Sequence, residues 1–177
     1  TLAETLRSSG AIVQFACRDH PCNLNDIIFK KGFKIHVLPA VDCKENRNLS
    51  IDQNVEEAED YNHWLNVTQD QDAAEMLDVL AGIHPDWLIV DHYGLDIDWE
   101  SLLRPHVHKL MVIDDIANRQ HNCDLLLDQN YFRESVNRYE GKVPPTCTLL
   151  LGPQYALLRP EFAEIRKNLH SRTGEIK

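Results

Sequence analysis

The stretch Pro85-Asp86-Trp87-Leu88-Ile89-Val90-Asp91-His92-Tyr93-Gly94-Leu95-Asp96 decides how the chain folds. Trp87 to Val90 is an apolar run too short for a helix of its own and rich in β-favouring side chains, so it reads as a buried strand. At its end the character changes at once. Asp91, His92 and Tyr93 bring a carboxylate, an imidazole and a phenol together, and Gly94 lets the backbone turn. In an open α/β sheet, ligands bind just outside the carboxyl ends of the strands.

Working outward, helix and strand patterns alternate. Leu2 to Ser9 reads as a helix stopped by Gly10 in the left-handed position that favours glycine. Ala11 to Cys17 reads as a strand, Asn25 to Lys31 as a short helix closed by Gly32, and Phe33 to Leu38 as a second strand. Two acidic helices are expected over Val55–Leu65 and Gln71–Ala81, the second with a solvated Asp72, Glu75 and Asp78 face. After the central strand, Asp96 caps a helix from Ile97 to about Leu103, with Asp98 and Glu100 in its first turn. Strands follow at Lys109–Ile113, Asp124–Leu127 and Cys147–Leu151. A helix then runs from Arg159, with Pro160 in its first turn and Phe162 and Ile165 on its inner side.

This order is the signature of a parallel sheet, so the fold class is α/β and Rossmann-like. A βαβ sheet begins with a strand, whereas this chain begins inside a helix, so its opening strand is expected outside these residues. Three successive strands end in polar clusters: Asp91-His92-Tyr93, Asp114-Asp115 and Asp128-Gln129-Asn130. In a parallel sheet those ends share one edge.

Composition narrows the partners. Of 177 residues, 43% are hydrophobic and 26% charged, as in an ordinary globular domain. A net charge of −10 argues against nucleic acid and anionic membrane, which need clustered cations. No apolar stretch is long enough to span a bilayer, and the first residues do not read as a signal peptide. The five cysteines lack a Cys-x-x-Cys pattern, which suits reduced thiols and a cytoplasmic location. No Gly-x-Gly-x-x-Gly or P-loop occurs. The pairs His20/Cys22 and His121/Cys123 fall short of a four-ligand zinc set, and Asp114/Asp115 lacks a third ligand at a suitable spacing, so no metal is expected.

From Val90-Asp91-His92-Tyr93-Gly94-Leu95 onward the sequence resembles the UDP-2,4-diacetamido-2,4,6-trideoxy-β-L-altropyranose hydrolases of pseudaminic acid biosynthesis and their spore-coat glycosyltransferase-like relatives. The resemblance continues through Val112 to Arg119 (VIDDIANR), His121 to Asn130 (HNCDLLLDQN) and Leu150 to Phe162 (LLGPQYALLRPEF). It implies the N-terminal half of a glycosyltransferase-B-like architecture. Residues 1–155 would form the sugar-side domain, and 156–177 a linker helix toward a C-terminal nucleotide-binding domain outside this chain. The implied reaction is hydrolysis at the anomeric carbon to UDP and free sugar, without a cofactor. The family's proposed catalytic histidine lies in a Gly-His-x-x-Arg loop before the first helix, outside these residues.

Within the chain, the candidate catalytic residues are Tyr93, which the resemblance puts in the sugar site, and His92; the candidate substrate-binding residues are Asp91, which alternatively caps the next turn, Gly94, Asp114, Asp115 and Asn130. Tyr93 orients the water or a sugar hydroxyl, or packs under the Gly94 bend. His92 helps as a base, or sits back with one nitrogen satisfied. The expected partner is a UDP-sugar, and self-association of the fragment is left open. A non-catalytic nucleotide-sugar-binding module and a related glycosyltransferase domain are the alternative readings.

Overall fold

The computed structural model describes residues 1–21, 23–40, 64–133 and 137–167. The acidic helix expected over Val55–Leu65 lies, but for its last two residues, outside this set, as do Cys22 and Cys43. The elements in order are α1 (Leu2–Ser8), β1 (Gln14–Arg18), α2 (Asn25–Lys30), β2 (Lys34–Leu38) and α3 (Gln69–Leu80). There follow β3 (Trp87–Val90), α4 (Ile97–Leu103), β4 (Lys109–Ile113), β5 (Leu125–Asp128), β6 (Thr148–Leu151) and α5 (Pro160–Lys167). The α/β class and the parallel sense hold throughout. β1 and β2 pair as one parallel ribbon, and β3-β4-β5-β6 form a four-stranded parallel sheet in that order.

The boundaries follow local chemistry. Gly10 and Gly32 take φ of 96° and 75°, the left-handed region that glycine enters without a Cβ clash. α3 begins two residues earlier than its apolar spacing suggests because Thr68 is its cap, accepting from the Gln71 N–H at 3.2 Å. Asp96 caps α4 by accepting from the Asp98 N–H at 3.0 Å.

The core lies between the four-stranded sheet and the α3–α4 pair. Ala73, Met76 and Leu80 of α3 and Trp99 and Leu103 of α4 pack with Val90, Leu110, Val112 and Leu126 of the strands. Leu103, Leu110 and Leu126 have no solvent exposure, and burying each such side chain stabilises the fold by about 1.5–3 kcal/mol.

Two expectations are corrected. Asp72 is not on a solvated face but 4% exposed. Its Oδ2 pairs with Arg18 at the end of β1 (2.5 Å) and its Oδ1 accepts from Trp99 Nε1 (2.9 Å). Glu75 meets the same guanidinium at 2.7 Å, so α3 clasps β1 through two carboxylates. A buried Asp survives because both oxygens are bonded and a cation balances the charge. Second, α5 has no inner side: Phe162 and Ile165 are 49% and 58% exposed, and the helix buries no residue.

Candidate functional site

The parallel register stacks the strand ends. Val90 lies beside Val112, Ile113 beside Leu127, and Asp128 beside Leu151, so the residue after each strand emerges at the same edge. The paired residues of these strands are apolar almost throughout, and polarity is deferred to the strand ends. Asp91-His92-Tyr93, Asp114-Asp115 and Asn130 therefore meet there, as the spacing predicts.

Asp115 is the hub. Its Oδ1 accepts from the Tyr93 hydroxyl at 2.7 Å and its Oδ2 from Asn130 Nδ2 at 2.6 Å, so one carboxylate ties the ends of β3, β4 and β5 together. Asn130 is exposed, and its backbone N–H is fixed by Asp128 Oδ1 at 3.0 Å. Tyr93 is half-buried. The Arg119 guanidinium carbon lies 5.9 Å from its ring centroid, and the Trp64 ring stands 5.8 Å away, tilted by 51°. The hydrogen bond to Asp115, with burial and the surrounding carboxylates, pushes the Tyr93 phenol up to about 12. The hydroxyl therefore stays protonated, with its hydrogen on Asp115 and its oxygen still able to accept.

His92 is half-buried, and its Nδ1 accepts from the Gly94 N–H at 3.0 Å. Burial lowers its pKa. The Asp72 charge opposes the shift, while Arg119, His20 and Arg18 reinforce it. The ring is thus neutral near pH 7 with its proton on Nε2, a donor at that atom. Gly94 is buried behind it. Asp91 has solvent-exposed surface, and its pKa is raised, first by desolvation against the packed strand ends and second by the charge of Asp115.

Asp114 stands behind this surface at 1% exposure. Its Oδ2 accepts from the Ala117 N–H (2.9 Å) and the Tyr139 hydroxyl (3.0 Å), and its Oδ1 faces Arg119 at 3.0 Å. It braces the strand end from within. The Ala117 bond holds that residue at φ 56°, a strained value for a side chain with a Cβ, and Lys142 Nζ secures the Ala117 carbonyl at 2.5 Å.

Sequence reading missed the second brace. Arg138 Nη1 pairs with the buried Asp128, and its Nη2 donates to the carbonyls of Asp115 (2.7 Å) and Ile116 (3.2 Å). Tyr139, 1% exposed, donates toward Asp114 Oδ2 and lies 3.1 Å from Asp128 Oδ2. Both sit in a loop without periodicity, where only a surplus of carboxylates awaiting cations hinted at a role. Arg119 lay inside a recognised motif, yet its pairing with Asp114 was not legible. The His121/Cys123 pair does not converge, since His121 Nδ1 contacts Glu100 Oε1 at 2.7 Å whereas Cys123 meets Cys147; the His20/Cys22 pair includes a residue outside the described set.

This edge can hold a polyhydroxylated ligand through alternating donors and acceptors. Among the described residues, Arg119 is paired with Asp114 and Arg138 with Asp128 at this edge.

Comparison with known proteins agrees in outline. No family model matches the chain. It is 33% identical over 93 residues to the UDP-2,4-diacetamido-2,4,6-trideoxy-beta-L-altropyranose hydrolase of Campylobacter jejuni, covering 52% of this chain and 34% of that protein. It is 28% identical over 104 residues to an uncharacterized protein of Methanocaldococcus jannaschii, covering 58% of this chain and 21% of that protein. The relation to the hydrolase is distant. The chain spans about a third or less of the length of these curated relatives. Among the described residues, no helix is long and apolar enough to cross a membrane.

Proposed function

We propose that this chain forms the sugar-facing wall of an enzyme that hydrolyses a UDP-linked diacetamido-trideoxy sugar to UDP and the free sugar. The observation that carries the reading is the Tyr93–Asp115–Asn130 array at the carboxyl edge of the sheet. Named for such a hydrolysis, the Campylobacter relative supports the substrate class.

In this reading each group has a defined task. The Asn130 amide and the remaining lone pairs of Asp115 take sugar hydroxyl and acetamido N–H groups. Tyr93, protonated and anchored, accepts a hydrogen bond through its oxygen and orients the sugar or the attacking water. Neutral His92 donates from Nε2. Neither Tyr93 nor His92 is free to take a proton from water at its exposed atom. Among the site carboxylates Asp91, open to solvent and with a raised pKa, is best suited to that work. Gly94 lets the turn lie close behind the ligand, and Asp114 holds Arg119 and the strand end in register. The diphosphate is gripped by a second, nucleotide-binding domain joined through residues 156–177, which matches the pairing of Arg119 and Arg138 here.

The test is UDP release by the full-length protein from the UDP-linked diacetamido-trideoxy sugar, with UDP-N-acetylglucosamine as a control. UDP and reducing sugar should appear in equal amounts without an acceptor. Binding without UDP release would overturn the reading in favour of a binding module. Release only when an acceptor is added would overturn it in favour of a glycosyltransferase.

A further inference from the structure

Away from the candidate site, at the opposite ends of the same strands, two thiols face each other. Cys123 lies two residues before β5 and Cys147 one residue before β6. Their sulfurs are 3.6 Å apart and neither is in a disulfide. The backbones are already joined here, since the Thr148 N–H donates to the Asp124 carbonyl at 2.8 Å and Leu125 pairs with Thr148. Neighbouring strands run about 4.8 Å apart, and a disulfide accepts Cα separations of about 4.4–6.8 Å. Closing the sulfurs to about 2.05 Å asks for side-chain rotation rather than movement of a strand.

We propose that Cys123 and Cys147 are a redox pair that closes to an intramolecular disulfide when the protein meets a disulfide oxidant. The two sulfurs have unequal roles. Cys123 is 3% exposed, whereas Cys147 is partly open to solvent. Either sulfur can donate across this contact; with Cys123 as donor, the Cys147 thiol pKa is lowered and that of Cys123 raised. Cys147 is the attacking thiolate and Cys123 the resolving one.

With oxidised glutathione the Cys147 thiolate attacks one glutathione sulfur. A mixed disulfide forms and a glutathione thiolate departs, taking up the proton that Cys147 lost. Cys123, on losing its own proton, attacks the Cys147 sulfur. The protein disulfide forms and the second glutathione leaves as a thiol. Two protein thiols are oxidised and one glutathione disulfide is reduced.

The bond joins residues 24 positions apart. The segment it closes carries Asp128, Asn130, Arg138 and Tyr139, so oxidation fixes both ends of the chain that braces the Asp115 edge.

The test exposes the full-length protein to oxidised glutathione, quenches in acid, and maps peptides without reduction. Expected are a Cys123–Cys147 cross-linked peptide, an intact mass lower by two hydrogens, reversal by dithiothreitol, and a Tm higher by about 5–10 °C in the oxidised form. Cys147→Ser should abolish the cross-link. Cys123→Ser should stop at glutathione bound to Cys147. Recovery of both residues as free thiols from the folded wild-type protein would overturn the proposal. So would a glutathione adduct on Cys147 that persists while Cys123 is intact.

Discussion

Asp72 and Asp78 lie on the same helix and carry the same side chain, yet truncation should be costly at the first and nearly neutral at the second. Asp72→Ala removes the acceptor of Trp99 Nε1 and one of the two carboxylates that hold Arg18. An orphaned indole N–H in the core, once bonded to a charged group, costs about 1.5–3 kcal/mol. Breaking a buried ion pair costs about 3–5 kcal/mol, and Glu75 retains part of that interaction because it still meets the guanidinium. The sum is about 3–5 kcal/mol, which for a chain of this size lowers Tm by roughly 6–20 °C. Asp78 is exposed, and Asp78→Ala should change stability by no more than about 0.5 kcal/mol. Urea unfolding followed by tryptophan fluorescence reads both variants, and a double-mutant cycle with Trp99→Phe isolates the indole bond. Equal effects of the two substitutions, or a loss below about 1 kcal/mol for Asp72→Ala, would refute the clasp between β1 and α3.

Two further outcomes follow from the site's supports. Tyr139→Phe removes a buried hydroxyl donor shared between Asp114 and Asp128, and should cost about 2 kcal/mol in urea unfolding; an unchanged midpoint would mean the carboxylates do not depend on it. The pKa of His92 is lower in the folded chain than in the unfolded one, so the unfolded state binds more protons below about 6.5. The contribution from neutral His92 is therefore complete above that pH and is lost as pH falls below it. His92→Gln should flatten the stability-against-pH curve between about pH 7.5 and 5.5, and an unaltered slope would contradict the buried neutral ring.

The strands were legible because WLIV, KLMVI and LLL are short continuous apolar runs that offer no competing helical period. The convergence of three polar strand ends followed from parallel pairing alone, and Asp115 bonded to Tyr93 and Asn130 bears it out. What stayed hidden depends on partners distant in sequence. Asp72 looks like any acid on a charged helix face until Arg18, 54 positions away, is folded against it. Arg138 and Tyr139 lie in an aperiodic loop, so nothing local marks them as the groups that neutralise Asp128 and hold Asp114. The burial of Glu100 against His121 escaped for the same reason, since an acid in a first turn is already accounted for by the helix dipole. For α5, amphipathic spacing at Phe162 and Ile165 predicted an inner side, yet periodicity names only which face is apolar, not what covers it.

The measurement closest to the central claim is turnover of the UDP-linked diacetamido-trideoxy sugar by Tyr93→Phe in the full-length protein, with folding checked by circular dichroism and urea unfolding. Loss of a hydroxyl that orients the sugar or water in the transition state should lower kcat/KM by about ten- to a hundredfold. The urea midpoint should move little, because the phenol is only half-buried. Wild-type turnover in a folded Tyr93→Phe protein would contradict the placement of the substrate at the Asp115 edge.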